Sequence, residues 1–195
     1  MNFLSSRVKF FAGLLALLSL VVFTGCLEGE AQFEEIEDPD ELPRAEAEFI
    51  DTAGEPVGEA ELIQGPHGTL VEIDIDGLEP GMKGIHIHEI GDCDDYEEGF
   101  QASGGHLNPH DKKHGLLNPE GPDNADFPNL YVHDDGVARV EFYNARASLH
   151  GTVGATILDE DGAALVIHEN PDDHFTQPIG GAGARVACGV IEAQQ

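Results

Sequence analysis

The chain has 195 residues, 41% of them hydrophobic, which suits one domain with a real core and excludes wholesale disorder. Against 9 Lys and Arg stand 38 Asp and Glu, a formal net charge of −29. A basic surface gripping nucleic-acid phosphates is therefore excluded, and a salt-rich habitat is compatible with such acidity. Three cysteines are an odd number, so at least one has work other than pairing within the chain.

Arg7 and Lys9 precede an apolar run over 10–23, broken only by Gly13 and Ser19. This is a charged leader and a hydrophobic stretch too short for a comfortable membrane span. The run ends in Phe23-Thr24-Gly25-Cys26, which resembles the bacterial lipobox, where small residues precede a cysteine that is lipidated. Residues 1–25 are thus predicted to be a lipoprotein signal peptide and Cys26 the lipidation site. The product would be exported and held on a membrane, facing the periplasm or the cell surface. Export permits disulfides. Residues 27–44 hold eight acids and two prolines with no apolar period, which reads as a self-repelling tether behind the lipidated cysteine. Its 18 residues would span roughly 25 Å as a flexible coil. The folded domain is placed at 45–195.

From there period-2 patterns dominate. Strands are predicted at 46–51, 59–64, 69–75, 84–88, 130–132, 138–143, 153–158, 164–168 and 186–191. Turn signals separate them, such as Gln64-Gly65-Pro66, Asp134-Asp135-Gly136 and Asp159-Glu160-Asp161-Gly162. No helical stripe and no internal repeat intervene. The pattern suggests an all-β antiparallel sandwich or barrel. Two connections, 89–129 and 169–184, are too long for hairpin turns and are read as functional, since most of the histidines lie in or beside them.

In Gly84-Ile85-His86-Ile87-His88, residues two apart share a face of the strand, so His86 and His88 project together. Alone this is weak. His106, His110 and His114 follow in the first long loop, and His168 ends the strand Ala164-Leu165-Val166-Ile167-His168. Such a thiolate-free imidazole set suits copper or zinc, and Cu(II) in particular. No nucleophilic triad and no phosphate-cradling glycine loop are found.

Five segments, in order, resemble bacterial copper/zinc superoxide dismutase: Gly84-Ile85-His86-Ile87-His88-Glu89, Ala102-Ser103-Gly104-Gly105-His106-Leu107-Asn108-Pro109, Lys112-Lys113-His114-Gly115, Leu165-Val166-Ile167-His168-Glu169, and Gly183-Ala184-Arg185-Val186-Ala187-Cys188-Gly189-Val190-Ile191. The likeness runs from about residue 45 to about 193. It implies a flattened eight-stranded Greek-key barrel with two long functional loops. His86, His88, His106 and His168 would bind copper. His106 would bridge to zinc, with His114 and Asp126 as further zinc ligands. Asp172 would hydrogen-bond one copper and one zinc histidine, His86 and His114. Cys93 and Cys188 match the family's disulfide, which leaves Cys26 for lipid. Two positions depart from the family: Lys83 and Asp123 stand where histidines are usual. Asp123 is a candidate zinc ligand in that place, because zinc accepts carboxylate oxygen, and His110 is the next candidate. His67, His133 and His150 read as turn, loop or edge residues, and His174 as a loop residue beside the active channel.

The implied activity is disproportionation of superoxide to dioxygen and hydrogen peroxide, with copper and zinc as cofactors. Arg185 would dock the superoxide anion, and His106 would release copper and take a proton on reduction. The alternative is a non-catalytic copper-binding lipoprotein on the same fold. Arg185 separates the two, since a storage module needs no cation beside its metal. Cys26 is the expected membrane link, nucleic acid is not an expected partner, and a homodimer is left open.

Overall fold

The computed structural model describes residues 38–194. The expected signal peptide, Cys26 and most of the acidic tether lie outside the described residues. Within the expected tether, Pro39–Glu41 form one 3-10 turn capped by the Asp38 side chain. The strands are β1 (Arg44–Asp51), β2 (Pro56–Gly65), β3 (Gly68–Asp76), β4 (Gly81–Lys83), β5 (Ile85–His88), β6 (Leu130–Val132) and β7 (Val137–Asn144). They continue with β8 (Ala147–Ser148), β9 (Ala155–Thr156), β10 (Ala164–His168), β11 (Arg185–Val190) and β12 (Glu192–Ala193). β1 thus opens one residue before the expected domain boundary, and β11 opens on Arg185 itself.

Alternation decides which face is buried. Ala45, Ala47 and Phe49 of β1, Ala60 and Leu62 of β2, and Val71, Ile73 and Ile75 of β3 all enter one core. The main sheet runs β5-β10-β11-β1-β2-β3-β7, with β12 also paired to β1, and every pair in it is antiparallel. It curls as a half-barrel, and β4 pairs with β6. β4 runs on into β5 across Gly84, while β6 turns tightly into β7 through His133 N donating to Val137 O at 2.9 Å. The short β4–β6 pair therefore connects the sheet's two edge strands, as a Greek-key barrel requires.

One predicted strand is corrected. Residues 153–158 contribute only Ala155–Thr156, in a two-residue parallel pair with β8. Ile157 is nevertheless fully buried. Alternation there signals burial, not extension, because Gly151 and Gly154 at φ 71° and 61° bend the chain. β4, β8 and β12 were not predicted; strands this short leave almost no period to read.

Cys93 and Cys188 form a disulfide across a separation of 95 residues. With Phe100, Ala164 and Val166 they build a small second core that fastens the first long loop to β10 and β11.

Candidate metal centre

β5 is an edge strand of the main sheet, and unpaired backbone on an edge has to be covered. The first long loop does this. Leu107 N donates to Ile87 O at 2.9 Å and Ile87 N to Ala125 O at 3.2 Å. The same contacts set His106 beside His88 and Asp126 beside His86. Ile85 and Ile87 enter the core, while His86 and His88 point together to the other face, buried beneath the loop. On the strand's other side lies β10, whose last residue is His168. A bulge between Ile167 and His168 sets His168 opposite Arg185 and leaves Val186 without a partner. Bulges of this kind re-aim side chains next to active sites.

Four imidazoles converge. Ring centres lie 4.2 Å apart for His86–His106, 5.0 Å for His86–His168, 5.5 Å for His88–His106 and 5.8 Å for His88–His168. One nitrogen of each ring is engaged. His86 Nε2 donates to Asp172 Oδ2 (3.0 Å), His88 Nδ1 to Gly104 O (3.0 Å), His106 Nδ1 to Asp123 Oδ2 (2.9 Å) and His168 Nδ1 to Gly183 O (3.2 Å). The other nitrogen of each, His86 Nδ1 and Nε2 of His88, His106 and His168, is buried with no partner. A single buried unpaired polar atom costs on the order of 1–3 kcal/mol, so four orphaned lone pairs in one cluster make sense only around a metal. Burial also keeps three of the rings neutral: it pushes His86 down to about 3, His168 down to about 4, and His88 well below its usual value. An all-nitrogen donor set fits copper.

A second cluster shares His106. Its ligand atoms on His106, His114, Asp123 and Asp126 lie within 4.8 Å of one another. Asp126 Oδ2 accepts from Gly115 N (2.7 Å) and Asp123 N (3.0 Å), while its Oδ1 stands 2.6 Å from His114 Nδ1. Asp123 Oδ1 accepts from Ala125 N (2.9 Å), which leaves Oδ2 for His106. Each carboxylate is thus held by backbone through one oxygen and turned toward an imidazole with the other. Two nitrogens and two carboxylate oxygens fit zinc. His110 is exposed and donates instead to Asn124 Oδ1 (3.0 Å).

Asp172 spans both clusters, with Oδ2 on His86 and Oδ1 on His114 Nε2 at 3.1 Å. Burial would raise its pKa, but hydrogen bonds from His114 and His86 hold it well below the carboxylate range. Gly180 makes room for it, since a Cβ there would lie 1.6 Å from Asp172 Oδ1. Asn129 brackets its backbone, donating to Asp172 O and accepting from Asp172 N, both at 2.8 Å.

A pocket of about 500 Å³ opens over these groups, lined by His88, His106, His168, Lys112, Asp123 and Arg185 among others. Arg185 is fixed on its floor: Nη1 donates to Ser103 Oγ (2.9 Å) and to Phe100 O, and Nη2 to Gly104 O (2.7 Å). His67, His133 and His150 are exposed. His174 is half-buried and contacts Asn129, and the buried Lys83 donates to Glu169 O (3.0 Å). Sequence reasoning missed Gly104 and Gly183, because carbonyl acceptors leave no side-chain signature. It also missed Ser103, Asn129 and Arg146, which hydrogen-bond Arg185, the Asp172 backbone, and the carbonyls of Asp123 and Asp126.

A family model described as copper/zinc superoxide dismutase matches residues 57–191. The chain belongs to the copper/zinc superoxide dismutase family. It is 46% identical over 149 residues to superoxide dismutase [Cu-Zn] 2 of Aquifex aeolicus, covering 76% of this chain and 86% of that one. It is also 46% identical over 141 residues to superoxide dismutase [Cu-Zn] of Caulobacter vibrioides, covering 71% and 80%. A solved superoxide dismutase-like protein from Bacillus subtilis superposes with a TM-score of 0.70 at 38% identity, covering 74% of this chain and 96% of that one. The protein is a copper- and zinc-dependent enzyme that disproportionates superoxide to dioxygen and hydrogen peroxide. Its intrachain disulfide belongs with an exported protein.

Proposed function

We propose that superoxide dismutase catalysis in this chain is carried by His86, His88, His106 and His168 as copper ligands. His106, His114, Asp126 and Asp123 hold zinc in this reading, with Asp172 orienting His86 and His114 from behind. The observation that carries it is the set of four orphaned buried ring nitrogens. Copper, when bound, supplies a one-electron redox couple, and zinc a fixed charge. Arg185 draws the superoxide anion into the pocket and orients it with a planar, permanently charged fork. His106 holds and releases a proton at Nε2, the atom that faces the other copper-set rings. A non-catalytic copper-binding lipoprotein would have no use for Arg185 at that place. Metal content and dismutase rate of the purified protein, before and after chelation and copper reloading, test the reading. His86→Ala and His168→Ala should each lose copper and activity together. Full copper content in either variant would overturn the ligand set.

Residues 1–25 act, in the same reading, as a lipoprotein signal peptide, Cys26 as the lipid anchor and 27–44 as a tether. Support comes from the sequence run ending at Cys26 and from export itself. Cys26→Ser should release the protein from membranes and abolish fatty-acid labelling. An unlabelled, soluble wild-type in a lipoprotein-processing host would overturn the anchor.

A further inference from the structure

The turn 123–126 carries both carboxylates of the second cluster, and each of its four carbonyl oxygens is engaged. Arg146 Nε donates to Asp123 O at 3.0 Å and Arg146 Nη2 to Asp126 O. Asn144 Nδ2 donates to Asn124 O at 2.9 Å, and Ile87 N to Ala125 O at 3.2 Å. One guanidinium therefore spans both acidic residues of the turn. Its fork suits two acceptors held at a fixed spacing, which an ammonium does not.

Arg146 is itself fixed. Its N donates to Asn144 Oδ1 at 2.8 Å, and its O accepts from Ala155 N at 2.9 Å and from Asn124 Nδ2. Gly154, at φ 61°, packs against that carbonyl, where a Cβ would stand 1.8 Å away. The side chain is half-buried. A cation taken this far out of water to hold two carbonyls stands beside two buried acids, Asp123 and Asp126. Within the turn each carboxylate is locked by a backbone N–H through one oxygen. Orienting the turn therefore orients both of the oxygens that face His106 and His114.

We propose that Arg146 is a positioning residue of the zinc site, holding the 123–126 turn so that Asp123 and Asp126 each present one oxygen to the metal. This rests on the reading of those two residues as zinc ligands. Ligand-orienting partners typically change metal affinity about 10–100-fold when removed.

The test is zinc affinity of the full protein by competition with a chelator, together with the melting temperature of metal-free and zinc-loaded forms. Arg146→Gln should weaken zinc about 10–100-fold, and Arg146→Lys, which keeps the charge and loses the fork, should weaken it by at least about tenfold. The rise in melting temperature on zinc loading should shrink in both. Arg146→Lys serves alone if Arg146→Gln fails to fold. Affinity within about twofold of wild-type, or an equal drop in melting temperature with and without zinc, would overturn the proposal. Asp123→Ala and Asp126→Ala separate the two readings. If they weaken zinc and the Arg146 variants do not, the positioning role alone fails. If neither weakens zinc, the ligand reading fails and takes this one with it.

Discussion

Arg185 and His88 donate to one acceptor, the carbonyl oxygen of Gly104, through Nη2 at 2.7 Å and Nδ1 at 3.0 Å. A single backbone atom thus fixes the guanidinium relative to the imidazole whose Nε2 is buried without a partner. The two roles are separable, because removing the guanidinium leaves the His88 hydrogen bond in place. Arg185→Ala should keep full copper content and slow dismutation by about tenfold or more, the scale on which a focusing charge raises anion capture. Arg185→Lys should fall between, having charge without the fork. Copper loss in parallel with rate would show that Arg185 serves the ligands rather than the anion.

Ionic strength bears on the same residue. Electrostatic guidance raises anion capture, and superoxide dismutase is itself a standard instance of it. In this chain superoxide approaches a molecule of net charge −29. The cations lining the pocket are Arg185 and Lys112, with Asp123 among them, and the second long loop adds Glu169, Asp172 and Asp173 without a lysine. Global repulsion therefore opposes a thin local attraction. The rate measured between about 10 mM and about 150 mM salt, where the screening length falls from roughly 30 Å to roughly 8 Å, should stay flat or rise. A steep fall would show that the local field dominates.

The convergence of His86, His88 and His168 was legible in the sequence for a physical reason. His86 and His88 sit two apart on a strand, and His168 ends the strand beside them, so period alone sets their direction. The rest depends on tertiary contact. What brings His106 and Asp126 to that strand is backbone pairing with the free edge of β5, which a loop sequence does not announce. Asp123 was visible only as a departure from the family's histidine, and Arg146 not at all, since its partners are carbonyls. The barrel's long strands were readable from alternation. The two-residue pair of β8 and β9 was not, because glycine conformation there overrides the alternating pattern.

Alternation also builds an acidic ladder on the outer face of the sheet. Glu46, Glu61, Glu72 and Glu141 stand directly opposite one another across β1, β2, β3 and β7. Arg44 relieves Glu61 from the side at 2.5 Å, while Glu72 faces a glutamate on each side. Like charges directly opposite destabilise a sheet by roughly 0.2–1 kcal/mol per pair, and salt screens them. Melting temperature should therefore climb with added salt. Glu72→Lys, which turns two repulsions into attractions, should raise it by a few °C (~2–4 °C per kcal/mol) at low salt. The gain should shrink at about 1 M salt. A salt-independent melting temperature would show that the ladder carries no strain.

Acid should remove zinc before copper, and the sign follows from the two clusters. Burial lowers the pKa of His114, but hydrogen bonds to Asp126 and Asp172 outweigh it and raise the ring to about 10. In the metal-free fold this lies above the ordinary value of 6.5, so the stability His114 adds is complete below 6.5 and lost as pH climbs through about 10. His86 and His168 run the other way. Burial depresses them to about 3 and about 4, so the stability tied to their neutral forms is present above 6.5 and lost as pH falls through those values. Zinc must displace a proton from His114 at neutral pH, whereas burial keeps His86, His88 and His168 neutral there. Zinc affinity should rise about tenfold per pH unit until His114 titrates, and copper affinity should depend on pH much less steeply. Asp123 offers a carboxylate oxygen where a histidine would offer ring nitrogen, zinc's commoner partner, so Asp123→His should hold zinc to lower pH than wild-type. Metal analysis after dialysis across a pH series checks both statements. Copper leaving first would reverse the assignment of the clusters, and equal zinc retention by wild-type, Asp123→His and Asp123→Ala would remove Asp123 from the ligand set.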